Sequence, residues 1–73
     1  MKAHYEIDHY PNVTTQLYVV SDDGRLLVSD RMTLFEAQQY IRDSYEAHGI
    51  VPRLSEHMEA GGIRLMKTQA IEV

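Results

Sequence analysis

The first extended segment carries three side chains of the types that bind divalent metal ions. His4, Glu6 and Asp8 alternate along AHYEIDH, and an imidazole with two carboxylates is a ligand set that such ions accept. Alternate residues of one strand, however, lie about 7 Å apart, which is too far for three of them to hold a single ion. A solvated polar face of a strand explains them better, and we expect no metal and no cofactor.

Two further segments contain residue types found in catalytic and calcium sites. Ser55 and His57 could be a nucleophile and a base, but two residues apart on a helical turn they would point to different sides. Asp22-Asp23-Gly24 has the acids and glycine of a calcium loop, but a strand-like run follows the glycine directly, which favours a turn. An enzyme or a metal-binding protein is therefore the least favoured function.

The elements that must position these residues begin with a hairpin, TTQLYVVSDDGRLLVSD. Asp23-Gly24 is a preferred central pair for a type I′ turn, and that turn would place Asp22 opposite Arg25 and Val20 opposite Leu27. In this register neither face is polar throughout. One face would carry Leu17, Val19, Leu26 and Val28, and the other Tyr18, Val20 and Leu27.

A helix is predicted from Thr33 to about His48. Thr33 and Glu36 form a capping-box pattern at its start, and Gly49 follows it at a position that tolerates a left-handed backbone. Apolar side chains recur between these ends at helical spacing. They are Leu34, Ala37, Ile41 and Tyr45, joined by Tyr40.

The remaining segments complete an α+β fold. Residues 3–9 alternate as a half-buried strand, Ser55 could cap a short helical turn, and residues 63–73 alternate as a last strand that bends near Lys67. The order β-β-β-α-β predicts a small antiparallel sheet of about four strands with one main helix packed on one face. We expect residues 1–73 to form a single compact domain. Its last strand either returns beside the first or pairs at the other edge, and the sequence does not choose between them.

Composition limits the classes of partner. The chain has 73 residues, no cysteine, 11 acidic and 7 basic residues, and a formal charge of -4. Its cations are scattered, which disfavours direct nucleic-acid binding, and no apolar run suits a membrane span or a signal peptide. We therefore expect a cytoplasmic protein. So small a chain without disulfides has little stability to spare, which favours association.

These observations favour a small non-catalytic protein–protein interaction or regulatory module. We expect it to bind through the outer sheet face, as a homodimer or on a partner protein, because an apolar cluster rimmed by charge usually marks an association site. The alternative is an acidic inhibitor, of the kind encoded by phages or mobile elements, that occupies a basic nucleic-acid-binding surface of an enzyme. The expected partner-binding residues are Tyr18, Val20, Leu27, Met66, Asp22 and Asp23. Either residues 50–62 or another chain could cover this face.

Overall fold

The computed structural model describes residues 2–11 and 14–72 and shows an α+β fold. One helix packs on one face of an antiparallel sheet, and the helix is neither long enough nor apolar enough to cross a membrane. The elements are β1 (Lys2–Tyr10), β2 (Thr14–Ser21), β3 (Gly24–Ser29), α1 (Leu34–Glu46), β4 (Leu54–Met58), β5 (Arg64–Thr68) and β6 (Ile71–Glu72), with a short 3₁₀ turn at Ala60–Gly62.

The strand order across the sheet is β3-β2-β1-β5-β4, and β6 pairs with β1 beyond the end of β5. The last segment therefore returns beside the first strand, one of the two arrangements that the sequence left open. It is split into two strands at Gln69 and Ala70. Because of that split, Met66 and Ile71 lie on the same face, whereas unbroken alternation would have separated them.

Helix α1 has the ends that its sequence predicts. The Thr33 hydroxyl accepts a hydrogen bond from the Glu36 amide, and the Glu36 carboxylate accepts one from the Thr33 amide, so both halves of the capping box are present. The regular helix ends at Glu46. Gly49 follows with a φ of 70°, and the Ile50 amide donates back to the Tyr45 carbonyl at 3.1 Å.

The core lies between α1 and the face of the sheet that we call the helix face. Ala37, Ile41 and Tyr45 point from the helix onto Ile7 and Leu17 of the two central strands, and all five have no exposed surface. Tyr45 also ties the C-terminal segment to the helix, because its hydroxyl contacts the Thr68 hydroxyl at 2.6 Å and donates to the Gln69 carbonyl.

The hairpin register differs from the prediction, although the faces do not. The turn residues are Asp22 and Asp23, so Ser21 pairs with Gly24 and Val20 pairs with Arg25. The predicted Asp22–Arg25 pair is therefore wrong. Moving the turn by one residue changes the pairings from Tyr18 to Ser21 by two positions, which keeps the apolar side chains of the hairpin on their predicted faces. Gly24, with a φ of 120°, supplies the positive φ after the turn and not within it.

The helical turn expected after Ser55 is wrong, and the expected number of strands is only roughly matched. Residues 54–58 form strand β4 and not a helical turn, so Ser55 caps nothing, and its hydroxyl donates to the Lys67 carbonyl of β5 at 3.2 Å. The sheet has six strands, counting β5 and β6 separately, where about four were expected. With β4 at the sheet edge, residues 50–62 do not fold over the outer face, and Met58 is 60% exposed.

Candidate functional site

The face of the sheet opposite α1, which we call the outer face, is the candidate site. Among residues 2–11 and 14–72, no helix or strand packs on it. An antiparallel sheet can present one face to solvent, but polar residues then usually cover that face evenly. Here charged, aromatic and apolar side chains meet at its centre. The outer face carries His4, Glu6, Asp8, Tyr18, Val20, Arg25, Leu27, Leu65 and Lys67.

Arg25 is the organising residue of the outer face. From strand β3 its side chain extends across the Tyr18 ring, with the guanidinium carbon 3.7 Å from the ring centroid. The same guanidinium donates to both carboxylate oxygens of Asp8 on the central strand, each at 2.8 Å. The Tyr18 hydroxyl in turn donates to the Gln16 side chain at 2.8 Å. Stacking on one side and ion pairing on the other hold Arg25 in one geometry.

Two carboxylates lie beneath this guanidinium. The side chains of Glu6 and Asp8 are each 12% exposed, and Glu6 lies 3.5 Å from Arg25 and 2.8 Å from the His4 ring. Partial burial works against the charge of Arg25, but the hydrogen bond and the negative charge of Asp8, followed by the charge of Glu6, outweigh it and raise the pKa of Arg25 above its ordinary value. The arginine therefore stays charged, with its own counter-ions below it.

Charge on the outer face is layered as a result. The Arg25 side chain is 41% exposed, whereas the Glu6 and Asp8 carboxylates beneath it are mostly buried. Lys67 lies opposite Glu6 on the neighbouring strand. Lys2 adds a third cation at the end of β1, exposed to solvent. Asp22 and Asp23 lie in the turn and further acids lie on the helix, while Glu72 of β6 pairs with Lys2 in the register of the sheet. Although the chain is acidic overall, the exposed charges described on this face are mainly cationic.

The predicted partner-binding residues separate into three groups. Tyr18, Val20 and Leu27 do lie together on the outer face, with Leu27 46% exposed and Tyr18 covered by Arg25. Asp22 and Asp23 are exposed at the hairpin turn beside it. Met66 is misplaced by the prediction. It is 2% exposed, belongs to the core cluster under α1, and contacts the Gln38 side chain.

The residues considered above as metal ligands or catalytic groups are bound to other side chains or to the backbone. Within the described ranges, no group of three histidine or acidic side chains is arranged to hold a metal ion. Glu6 and Asp8 are bound to Arg25, as described above. Ser55 and His57 share the exposed outward side of β4, but His57 lies 3.2 Å from Glu59, and the Ser55 hydroxyl is bound to backbone.

The arginine network was missed by the sequence analysis. The signal was present as two acids on alternate positions of one strand and an arginine in the next hairpin. Pairing Arg25 with Asp22 concealed it, because the assumed turn placed the guanidinium at the end of the hairpin. The true register moves Arg25 one pair inward, where it can reach across Tyr18 to Asp8.

No protein-family model, curated protein sequence or solved structure matches this chain.

Proposed function

We propose that this protein is a non-catalytic protein–protein interaction module that binds a partner protein through its outer sheet face. The observation that carries the proposal is Arg25, held between the Tyr18 ring and the Asp8 carboxylate while 41% exposed. Arginine and tyrosine are enriched among the residues that dominate binding energy. A side chain already fixed in one geometry also loses less conformational entropy when a partner binds.

The chemistry of the outer face favours a partner segment rich in hydrogen-bond acceptors. Arg25, Lys67 and Lys2 present donors and positive charge, while Val20 and Leu27 supply apolar contact area between them. Carboxylates and backbone carbonyls of a partner would meet complementary groups. We expect Val20 and Lys67, which flank the Tyr18–Arg25 stack, to contribute a large share of the affinity together with that stack, and Lys2 to steer association from the rim.

To identify the partner, proteins that bind the wild type and each variant are captured from lysate of the organism that encodes the protein and are quantified. The affinity of each chain for the purified partner is then measured. The test variant is Val20→Gln with Lys67→Gln, which alters the outer face and leaves the Arg25 network and strand β3 intact. The matched control is Phe35→Gln, because Phe35 is 73% exposed on the helix, away from the outer face. Circular dichroism establishes that both variants are folded.

The proposal requires a protein that wild type and the control both bind, and that binds the double variant at least about tenfold more weakly, a loss of about 1.4 kcal/mol. Equal affinities for all three chains would refute the outer face as the binding surface.

A second candidate uses a different surface. Asp22 and Asp23 are exposed at the tip of the hairpin, and the formal charge is -4, so docking of this tip onto a basic, nucleic-acid-binding surface of an enzyme is the alternative. Its signature is an association rate that falls steeply with added salt and falls again in Asp22→Asn with Asp23→Asn. An outer-face partner would be insensitive to that double variant.

A further inference from the structure

The two edges of the sheet differ in how they are protected. An edge strand exposes unpaired backbone N–H and C=O groups, and proteins usually place charges there to prevent further strands from adding. Edge strand β4 follows this rule, since its central residues Glu56 and His57 are exposed and Glu56 lies 3.1 Å from Arg64. Edge strand β3 does not.

Strand β3 presents consecutive exposed leucines on opposite faces. Leu26 is 67% exposed on the helix face and Leu27 is 46% exposed on the outer face. A single exposed leucine needs no explanation. A further strand laid alongside this edge would contact both leucines at once. The one charged residue of β3, Arg25, is turned back onto Asp8 and Glu6, so it offers little protection.

We propose that the free edge of β3 pairs with β3 of a second copy of this chain, antiparallel and about a two-fold axis perpendicular to the sheet. Such pairing is isologous, because each copy offers the same surface. Because paired residues share a face, the helix faces of the two sheets would then form one continuous surface. Because each Arg25 is neutralised within its own chain, the two strands meet without strong like-charge repulsion.

The register follows from the alternation of faces and from one irregularity. A bulge at the Leu17/Tyr18 step interrupts the pairing of β2 with β3 near Val28, which leaves Gly24–Leu27 as the regular part of the edge. Because paired residues must lie on the same face, the pairing must be centred on one residue. That residue then lies opposite its own copy, and each of its neighbours lies opposite a residue two positions away in the sequence. Centring on Arg25 would leave Leu26 opposite Gly24 and Leu27 opposite Asp23, and centring on Leu27 would extend the pairing into the bulge. We therefore infer that Leu26 lies opposite Leu26 of the second copy, with Arg25 opposite its Leu27.

An apolar groove gives the paired leucines further contact area. It has a volume of about 460 Å³ and is lined by residues of β1, β2, β3 and β6 and of the hairpin turn. Its apolar walls are Ala3, Tyr5, Val19, Leu26 and Ile71. A leucine from the second copy, arriving at the groove mouth beside Leu26, would bury surface on both sides of the interface.

The absence of cysteine allows a direct test of this register. Leu26→Cys should form an intermolecular disulfide under mild oxidation at micromolar protein concentration, because the two thiols would be directly opposed. Phe35→Cys, at a position of similar exposure on the helix, is the matched control and should cross-link much more slowly. Equal cross-linking rates in the two variants would overturn the register.

Light scattering tests the interface itself. Wild type should be a dimer, Leu26→Lys should raise the dimer dissociation constant at least about tenfold, and His57→Lys on edge β4 should leave it unchanged, with circular dichroism confirming the fold of each. A monomeric wild type at about 100 μM, or a dimer unaffected by Leu26→Lys, would overturn the proposal. Neither result bears on the outer-face proposal, whose test variant lies outside β3.

Discussion

The arginine network on the outer face yields the most informative stability prediction. Replacing Arg25 with methionine keeps an unbranched apolar side chain over the Tyr18 ring but removes the guanidinium. Asp8 then loses both 2.8 Å hydrogen bonds, and Glu6 loses its neighbouring cation at 3.5 Å. Two carboxylates that are each 12% exposed remain on one face without their counter-charge. We expect the variant to fold but to be measurably less stable.

The magnitude lies between two known limits. Hydrogen bonds to charged groups contribute about 1.5–3 kcal/mol, whereas exposed ion pairs contribute about 0.2–1 kcal/mol. Asp8 is mostly buried and Arg25 is 41% exposed, so solvent screens one partner and not the other. We expect a coupling free energy between Arg25 and Asp8 of about 1–2 kcal/mol, and a total loss from Arg25→Met of about 2–3 kcal/mol, because Glu6 is also affected.

A double-mutant cycle measures this coupling directly. Wild type, Arg25→Met, Asp8→Asn and the double variant are unfolded in urea at neutral pH and followed by circular dichroism. The double variant should be more stable than the sum of the two single losses implies. A coupling free energy below about 0.5 kcal/mol would refute the reasoning, because the pair would then behave like an ordinary exposed ion pair.

Two further predictions concern the helix. Tyr45→Phe removes the contact of the Tyr45 hydroxyl with the Thr68 hydroxyl and its hydrogen bond to the Gln69 carbonyl, while the Thr68 hydroxyl keeps its bonds to the Tyr5 backbone. Urea unfolding should therefore show a loss of about 0.5–1.5 kcal/mol, whereas Tyr40→Phe, at a 38% exposed tyrosine, should change little. The hydrogen bond from the Thr33 backbone amide, and to a smaller extent the Thr33 side chain, lowers the pKa of Glu36 below its ordinary value of 4.5. The Glu36 carboxylate therefore stabilises the fold above that pH and ceases to do so as it becomes protonated at lower pH. Any stability advantage of wild type over Glu36→Gln at neutral pH should therefore disappear on acidification, and an advantage that persists to about pH 2 would contradict this role for Glu36.

The parts of the fold that were predicted correctly depend on local signals. Thr33, Glu36 and Gly49 act within one turn of each helix end, and Ile41 belongs to an apolar stripe with a single period. These features require no knowledge of the rest of the chain. The faces of the hairpin were also predicted correctly, since a one-residue error in the position of the turn leaves the alternation unchanged.

The parts that were missed depend on pairing between distant segments. Strand β4 has no apolar alternation of its own, and it is a strand because β5 pairs with it. Met66 shares the core with Ile71 because the chain switches face at Gln69. The Gln69 side chain helps to fix this switch by accepting a hydrogen bond from the Arg53 amide at 2.7 Å. The Arg25–Asp8 contact crosses two strands and appears only in the correct register. Charge and spacing along the chain therefore predicted an apolar cluster on the outer face but not the arginine at its centre.

The position of β1 at the centre of the sheet bears on the order in which the molecule is assembled. One neighbour, β2, is made immediately after it, while the other, β5, is separated from it by most of the sequence. During synthesis the β1–β2–β3 meander and α1 can form early, yet one side of β1 stays unpaired until β5 and β6 emerge. Closing that long loop carries a larger entropic cost than forming any of the hairpins in the sheet. We therefore expect a nascent chain truncated before residue 64 to expose a central strand edge and to aggregate, whereas the longer chain closes its sheet.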